Sequence, residues 1–146
     1  MHWKHLPVVA VLACALVGSA GCSQPAAEAA PEERAVNVEP VEGTDLSLVT
    51  VTAEAATRIG IETSHVERGK AGGFIVPYSA VLYDEHGSTW VYTNPEGLTF
   101  VRAEIEVDAI EGDIARISTG PPAGTVIATV GIAQLFGAEL GVGDPE

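Results

Sequence analysis

Asp84-Glu85-His86 places two carboxylates beside an imidazole, a donor set that suits a divalent metal. The three are consecutive and run into Gly87, however, and no fourth ligand is close in sequence, so a solvated hairpin tip is the stronger reading. His65 is the other histidine beyond the N-terminal segment, and it has no metal-ligand spacing to His86. Met1 is the only methionine, so the thioether ligands of a copper or silver carrier are missing. Glu104 and Glu106 stand two apart in an extended run and therefore point the same way, which mimics a paired-carboxylate acid–base site. Nothing around them implies an apolar pocket that would raise either pKa, and a wet sheet face is expected instead. Ser79 and Ser118 lack a His/Asp partner at any recognisable nucleophile elbow. Trp90 and Tyr92 share a strand face, as core or as groove lining. No catalytic residue, metal or cofactor is therefore assigned, and a non-enzymatic role is expected.

Composition narrows the field further. The chain has 146 residues, enough for one domain, with 7 Lys and Arg against 20 Asp and Glu. With a net charge of −13 and no basic cluster, it lacks the surface that releases counterions from nucleic acid. Aromatic residues make up only 5%, while Gly and Pro number 16 and 9, a balance that suits a β-rich domain with many turns.

The N-terminal residues read as an address. Lys4 precedes a run, 6–17, that is almost entirely apolar, and Gly18-Ser19-Ala20-Gly21 leads to Cys22. A basic head, a short apolar stretch and a small-residue exit describe an export signal. The run is shorter than the roughly 20 residues a spanning helix needs. Ala20-Gly21-Cys22 matches a bacterial lipobox apart from Ser19, where that pattern usually has Leu, so residues 1–21 are expected to be removed and Cys22 lipidated. Cys14 would be lost with them, which rules out a disulfide in the mature chain. A multiply acylated Cys22 is a lasting anchor. The protein is thus expected to be exported and held on an envelope membrane, at its periplasmic side or outer face. Residues 22–45 are rich in Ala, Pro and Glu with little to bury, and read as a flexible tether.

The remaining 46–141 predicts a single β domain, with 142–146 as a tail. Thr52 and Gly60 bracket a helix over 53–59 as N-cap and stop. Strands are expected at 46–52, 61–67, 74–77, 79–83, 88–93, 98–107, 114–119 and 125–130, separated by Gly, Pro and Asp turns. In 98–107 the alternation is clean, with Val101, Ala103, Ile105 and Val107 on one face and Arg102, Glu104 and Glu106 on the wet one. A short helical turn over 132–136 closes the domain before Gly137. The fold class predicted is mainly β: a small antiparallel roll or sandwich with one or two short helices.

Several stretches resemble a known family. Val76-Pro77-Tyr78-Ser79-Ala80-Val81, Gly87, Trp90-Val91-Tyr92 and Phe100-Val101-Arg102 look like the end of a periplasmic adaptor (membrane-fusion) protein of resistance-nodulation-division efflux pumps. Ile117-Ser118-Thr119-Gly120, Ala123-Gly124-Thr125-Val126-Ile127 and Gly131 through Leu135 continue the pattern. Val51-Thr52 and Arg58-Ile59-Gly60-Ile61-Glu62-Thr63 are similar to the start of heavy-metal-type adaptors. The resemblance spans 49–136 and implies a membrane-proximal β domain built from both chain ends. A full adaptor carries a barrel, a lipoyl-like domain and a helical hairpin between those ends, whereas here 67–73 joins them directly. The implied partner is an inner-membrane efflux transporter or another adaptor subunit, and the chain has no hairpin to reach an outer-membrane channel. The competing expectation is a stand-alone lipoprotein that holds a small ligand or metal.

Overall fold

The computed structural model describes residues 34–142, which lie in one compact unit. Residues 1–21, read above as an export signal, Cys22, the first part of the expected tether and most of the tail lie outside the described residues. Ten strands and two helices run in the order β1 (Val36–Pro40), β2 (Ser47–Val51), α1 (Ala53–Ile59), β3 (Glu62–His65), β4 (Glu67–Arg68), β5 (Phe74–Pro77), β6 (Leu82–Tyr83), β7 (Thr89–Glu96), β8 (Thr99–Glu111), β9 (Ile114–Thr119), β10 (Val126–Val130) and α2 (Ile132–Glu139). Every strand pairing is antiparallel, so the fold is the mainly β architecture that the turn-rich sequence predicts.

Helix α1 forms where its caps predict. The Thr52 hydroxyl accepts from the Ala55 N–H at 3.2 Å, and Gly60 turns left-handed at φ 73° with its N–H donated to the Ala56 and Thr57 carbonyls. Helix α2 begins at Gly131 (φ 87°), where a Cβ would stand 2.8 Å from Ile59 Cγ2. Glycine is therefore required there for two reasons, the left-handed backbone and the close approach of the α1 terminus.

Two strands organise the rest. Strand β7 pairs with β6, β8 and β10, and buries Val91 and Tyr92 completely. Strand β8, thirteen residues long, pairs with β7 through Ile105 and with β9 from Glu106 onward. The change of partner is accompanied by register shifts at Glu106/Val107 and Val107/Ala109. A strand that switches sheets through such bulges makes a corner, and the two sheets diverge beside it.

Three expectations need correction. Residues 36–40, read as part of the tether, form β1, which pairs from Val36↔Val51 to Pro40↔Ser47. Flanking bonds from Thr52 N–H to Ala35 O (3.0 Å) and from Val41 N–H to Leu46 O (2.9 Å) close the ladder. Pro40 is compatible with this because β1 is an edge strand. Residues 79–83, read as one strand, split into a 3-10 turn (Tyr78–Ala80) and the two-residue β6, since Val81 N–H bonds back to Tyr78 O. Helix α2 passes through Gly137 rather than ending before it, and its last residue, Glu139, is held by tertiary contacts. Among the described residues no helix is long and apolar enough to cross a membrane.

Candidate functional site

Residues paired across antiparallel strands share a face, so Tyr92↔Arg102 and Trp90↔Glu104 place Trp90, Tyr92 and Arg102 together. Helix α2 brings Glu139 to them. Arg102 Nε lies 2.8 Å from Glu139 Oε2, with the two side chains only 12% and 3% exposed. The Tyr92 hydroxyl donates to the same oxygen at 2.5 Å. The guanidinium carbon stands 4.8 Å from the Trp90 ring centre and 5.4 Å from that of Phe136, so the cation is held against two aromatic rings as well as beside the carboxylate. Arg102, read from alternation as a wet-face residue, is thus buried because α2 covers that face.

This cluster is not fully satisfied. Arg102 Nε has no aligned hydrogen bond despite the short ion-pair distance, and Glu139 Oε1 has no hydrogen-bond partner among the described residues. Burial, and then the hydrogen bond to Glu139, push the Tyr92 phenol well above its ordinary pKa of 10.0, so it stays protonated and remains a donor. With every group enclosed, the arrangement fastens α2 to the sheet.

Trp90 links the cluster to the turn before β7. Its indole N–H donates to Asp84 Oδ2 at 2.9 Å, while Asp84 Oδ1 accepts from the His86 and Ser88 backbone N–H groups at 2.9 and 2.8 Å. Both carboxylate oxygens of Asp84 are therefore engaged in shaping the hairpin tip. His86 and Glu85 are solvent-exposed, with His86 Nε2 3.5 Å from Glu85 Oε1. His65 is remote from them in the fold, its Nδ1 3.3 Å from Gly124 O. Among the described residues no three His, Cys, Asp or Glu side chains gather as a metal site. Ser79 and Ser118 are exposed.

The Trp90 indole, ahead of the Ser88 and His86 N–H groups, holds the Asp84 carboxyl below its ordinary 3.8. A depressed folded-state pKa contributes stability that is present above the unfolded value and lost as pH falls through the folded one. The stability difference between the wild type and Asp84→Asn should therefore be level above about pH 5 and shrink below 3.8. Urea unfolding at a series of pH values measures it, and a difference undiminished in acid would contradict the assignment.

A groove of about 610 Å³ lies at the β8 corner, and its lining includes Tyr83, Ser88, Glu104, Glu106 and Thr119. The structure thus brings the two glutamates singled out from the sequence to one cleft, with a hydroxyl on Glu106: Thr119 Oγ1 donates to Oε2 at 3.3 Å. Sequence reasoning missed Arg102 and Glu139, although Arg102 directly opposite the aromatic Tyr92 was a signal that its face is covered.

No family model, no curated protein and no solved structure matches this chain. The functional reading therefore rests on its residues and geometry.

Proposed function

We propose that this chain is a non-catalytic, lipid-anchored envelope module that docks on or modulates a transmembrane efflux transporter, as the membrane-proximal part of a periplasmic adaptor does. The observation that carries the proposal is the way the two resembling stretches combine. Segments before Gly69 and after Gly73 pair with each other at the sheet edges: β2 flanks β8 and β3 flanks β10, while β4 and β5 form the hairpin at the joint itself. The joint is a closed hairpin loop, with Gly69 N–H donating to Gly73 O (3.1 Å) and Gly72 N–H to Gly69 O (3.2 Å). A domain assembled from both chain ends, with a short loop where a longer adaptor carries its middle parts, suits a shortened member of that family. Its partner contact then lies beside the membrane holding Cys22, and short edge strands such as β4 offer unpaired backbone groups to it.

Two measurements test this. Cys22→Ala should shift the protein from the membrane to the soluble fraction, and retention at the wild-type level would place the anchor elsewhere. Crosslinking in native membranes should capture an inner-membrane transporter or another adaptor subunit. Absence of any transporter component, together with tight binding of a small ligand, would favour the stand-alone binding lipoprotein. The groove at the β8 corner is the feature that favours that second reading.

A further inference from the structure

We infer that the open edge of β1 pairs with β1 of a second copy of this chain, antiparallel about a two-fold axis at Asn37, so that two domains share one continuous sheet. Docking to a transporter is not required for this, and the β4 edge stays open to such a partner.

The backbone sets the first condition. Among the described residues β1 pairs with β2 alone. In that ladder Thr52 N–H donates to Ala35 O and Val41 N–H to Leu46 O, so the odd-numbered residues of β1 turn their polar groups toward β2. Val36 and Val38 therefore present N–H and C=O outward, and Pro40 presents a carbonyl alone. Residues 37–40 are exposed, which leaves this edge accessible. Of the other edges, β4 and β6 have two residues each, and β3 carries only Glu62, Thr63, Ser64 and His65. Strand β1, with five residues, is the longest edge and the one with apolar side chains.

The side chains set the register. Val36 and Val38 are opposite Val51 and Val49, both buried, so they lie on the core side of the sheet. Val38 is nonetheless 38% exposed, because the sheet stops there. With the axis at Asn37, each Val36 is opposite the partner's Val38, a β-branched pair that carries the core layer across the junction. Pro40 is then asked only to accept, from the N–H of the partner's Arg34. Moving the axis to Val38 would set Pro40 opposite Val36 and leave the Val36 carbonyl without a donor.

Charge and chain length point to a second copy as the occupant. Arg34 precedes the strand while Glu39 and Glu42 stand at its far end, and antiparallel pairing lays each Arg34 beside the acidic end of the other copy. Arg34 has no ion-pair partner among the described residues. One edge thus complements itself, as a two-fold interface requires. In this register the two Arg34 residues stand about 20 Å apart along the strands. Residues 22–33 reach up to about 40 Å, so two copies anchored through Cys22 in one membrane can pair. A strand pair this short buries less than a standard interface, and confinement to one surface supplies the concentration that offsets it.

The test is disulfide trapping of the full chain in native membranes under mild oxidant. Asn37 meets its counterpart in a non-hydrogen-bonded pair, where Cα atoms are about 4.5 Å apart and a disulfide can close. Asn37→Cys should give a disulfide-linked homodimer, whereas the wild type and Glu62→Cys, on the exposed β3 edge, should not. Val38→Pro removes an outward donor and leaves the β1–β2 bonds in place, so adding it to Asn37→Cys should abolish the dimer without changing the thermal unfolding curve. Val38→Lys, which sets a charge in the junction, should abolish it too and serves if the proline variant is unstable. Amide exchange of the purified protein in non-ionic detergent reads the same edge without a thiol. The Val36 and Val38 N–H groups should gain protection as protein concentration rises, while those of Asn37 and Glu39 are protected throughout. Asn37→Cys linking no better than Glu62→Cys, linking chiefly to a different protein, or still linking with Val38→Lys present would each overturn the pairing. Concentration-independent exchange at Val36 and Val38 would overturn it as well.

Discussion

Glu139→Ala should be among the most damaging single side-chain truncations in this domain, lowering unfolding free energy by about 3–5 kcal/mol. The variant leaves the Arg102 guanidinium enclosed between Trp90 and Phe136 without its carboxylate, and leaves the buried Tyr92 hydroxyl without its acceptor. Each stranded group bears its own desolvation penalty, which is why breaking such a pair harms more than the intact pair stabilises. The same reasoning predicts a rescue. Arg102→Met combined with Glu139→Leu removes both charges, and should recover most of the loss. Adding Tyr92→Phe to that background removes the last unpaired buried polar group and should recover about 1–3 kcal/mol more. Urea unfolding of the four proteins measures these steps. A Glu139→Ala loss below about 1 kcal/mol would mean that α2 is fastened by its apolar contacts alone.

Starting the chain at Asp45 instead of Arg34 should destabilise the domain by about 2–4 kcal/mol, because β1 belongs to the sheet. The truncation deletes a ladder of five residue pairs and the flanking Thr52–Ala35 bond. It also removes Val36, which packs against the core, and uncovers one side of β2, whose Val49 and Val51 are buried. Strand β2 then becomes an edge on that side, so aggregation should increase as stability falls. Matched urea curves and light scattering on the two truncated proteins test both effects, and coincident curves would return residues 36–44 to the tether.

Local chemistry was legible before any tertiary contact was known. Thr52 and Gly60 mark the two ends of α1 because a cap is an interaction among neighbours, in which a hydroxyl reaches an N–H three residues on and a glycine takes a positive φ. The Asp84–Gly87 turn was readable for the same reason: the Asp84 carboxylate bonds backbone groups two and four residues away. Alternation along β8 correctly placed Glu104 and Glu106 on one exposed face and Ile105 in the core.

What covers each face was decided only by the tertiary structure. Arg102 has the same strand parity as Glu104, yet α2 lies over one and not the other, and it is Glu139, far along the chain, that makes burial of Arg102 tolerable. Residues 36–40 carry the composition of a tether and become a strand because β2 offers an open edge in register. Glu104 and Glu106 read as a plain wet face until β8 changes partners and bends that face into a groove. Caps and turns are encoded within a few residues by dihedral preference and short hydrogen bonds. Burial of a face depends on segments distant in sequence, and no local pattern carries that information.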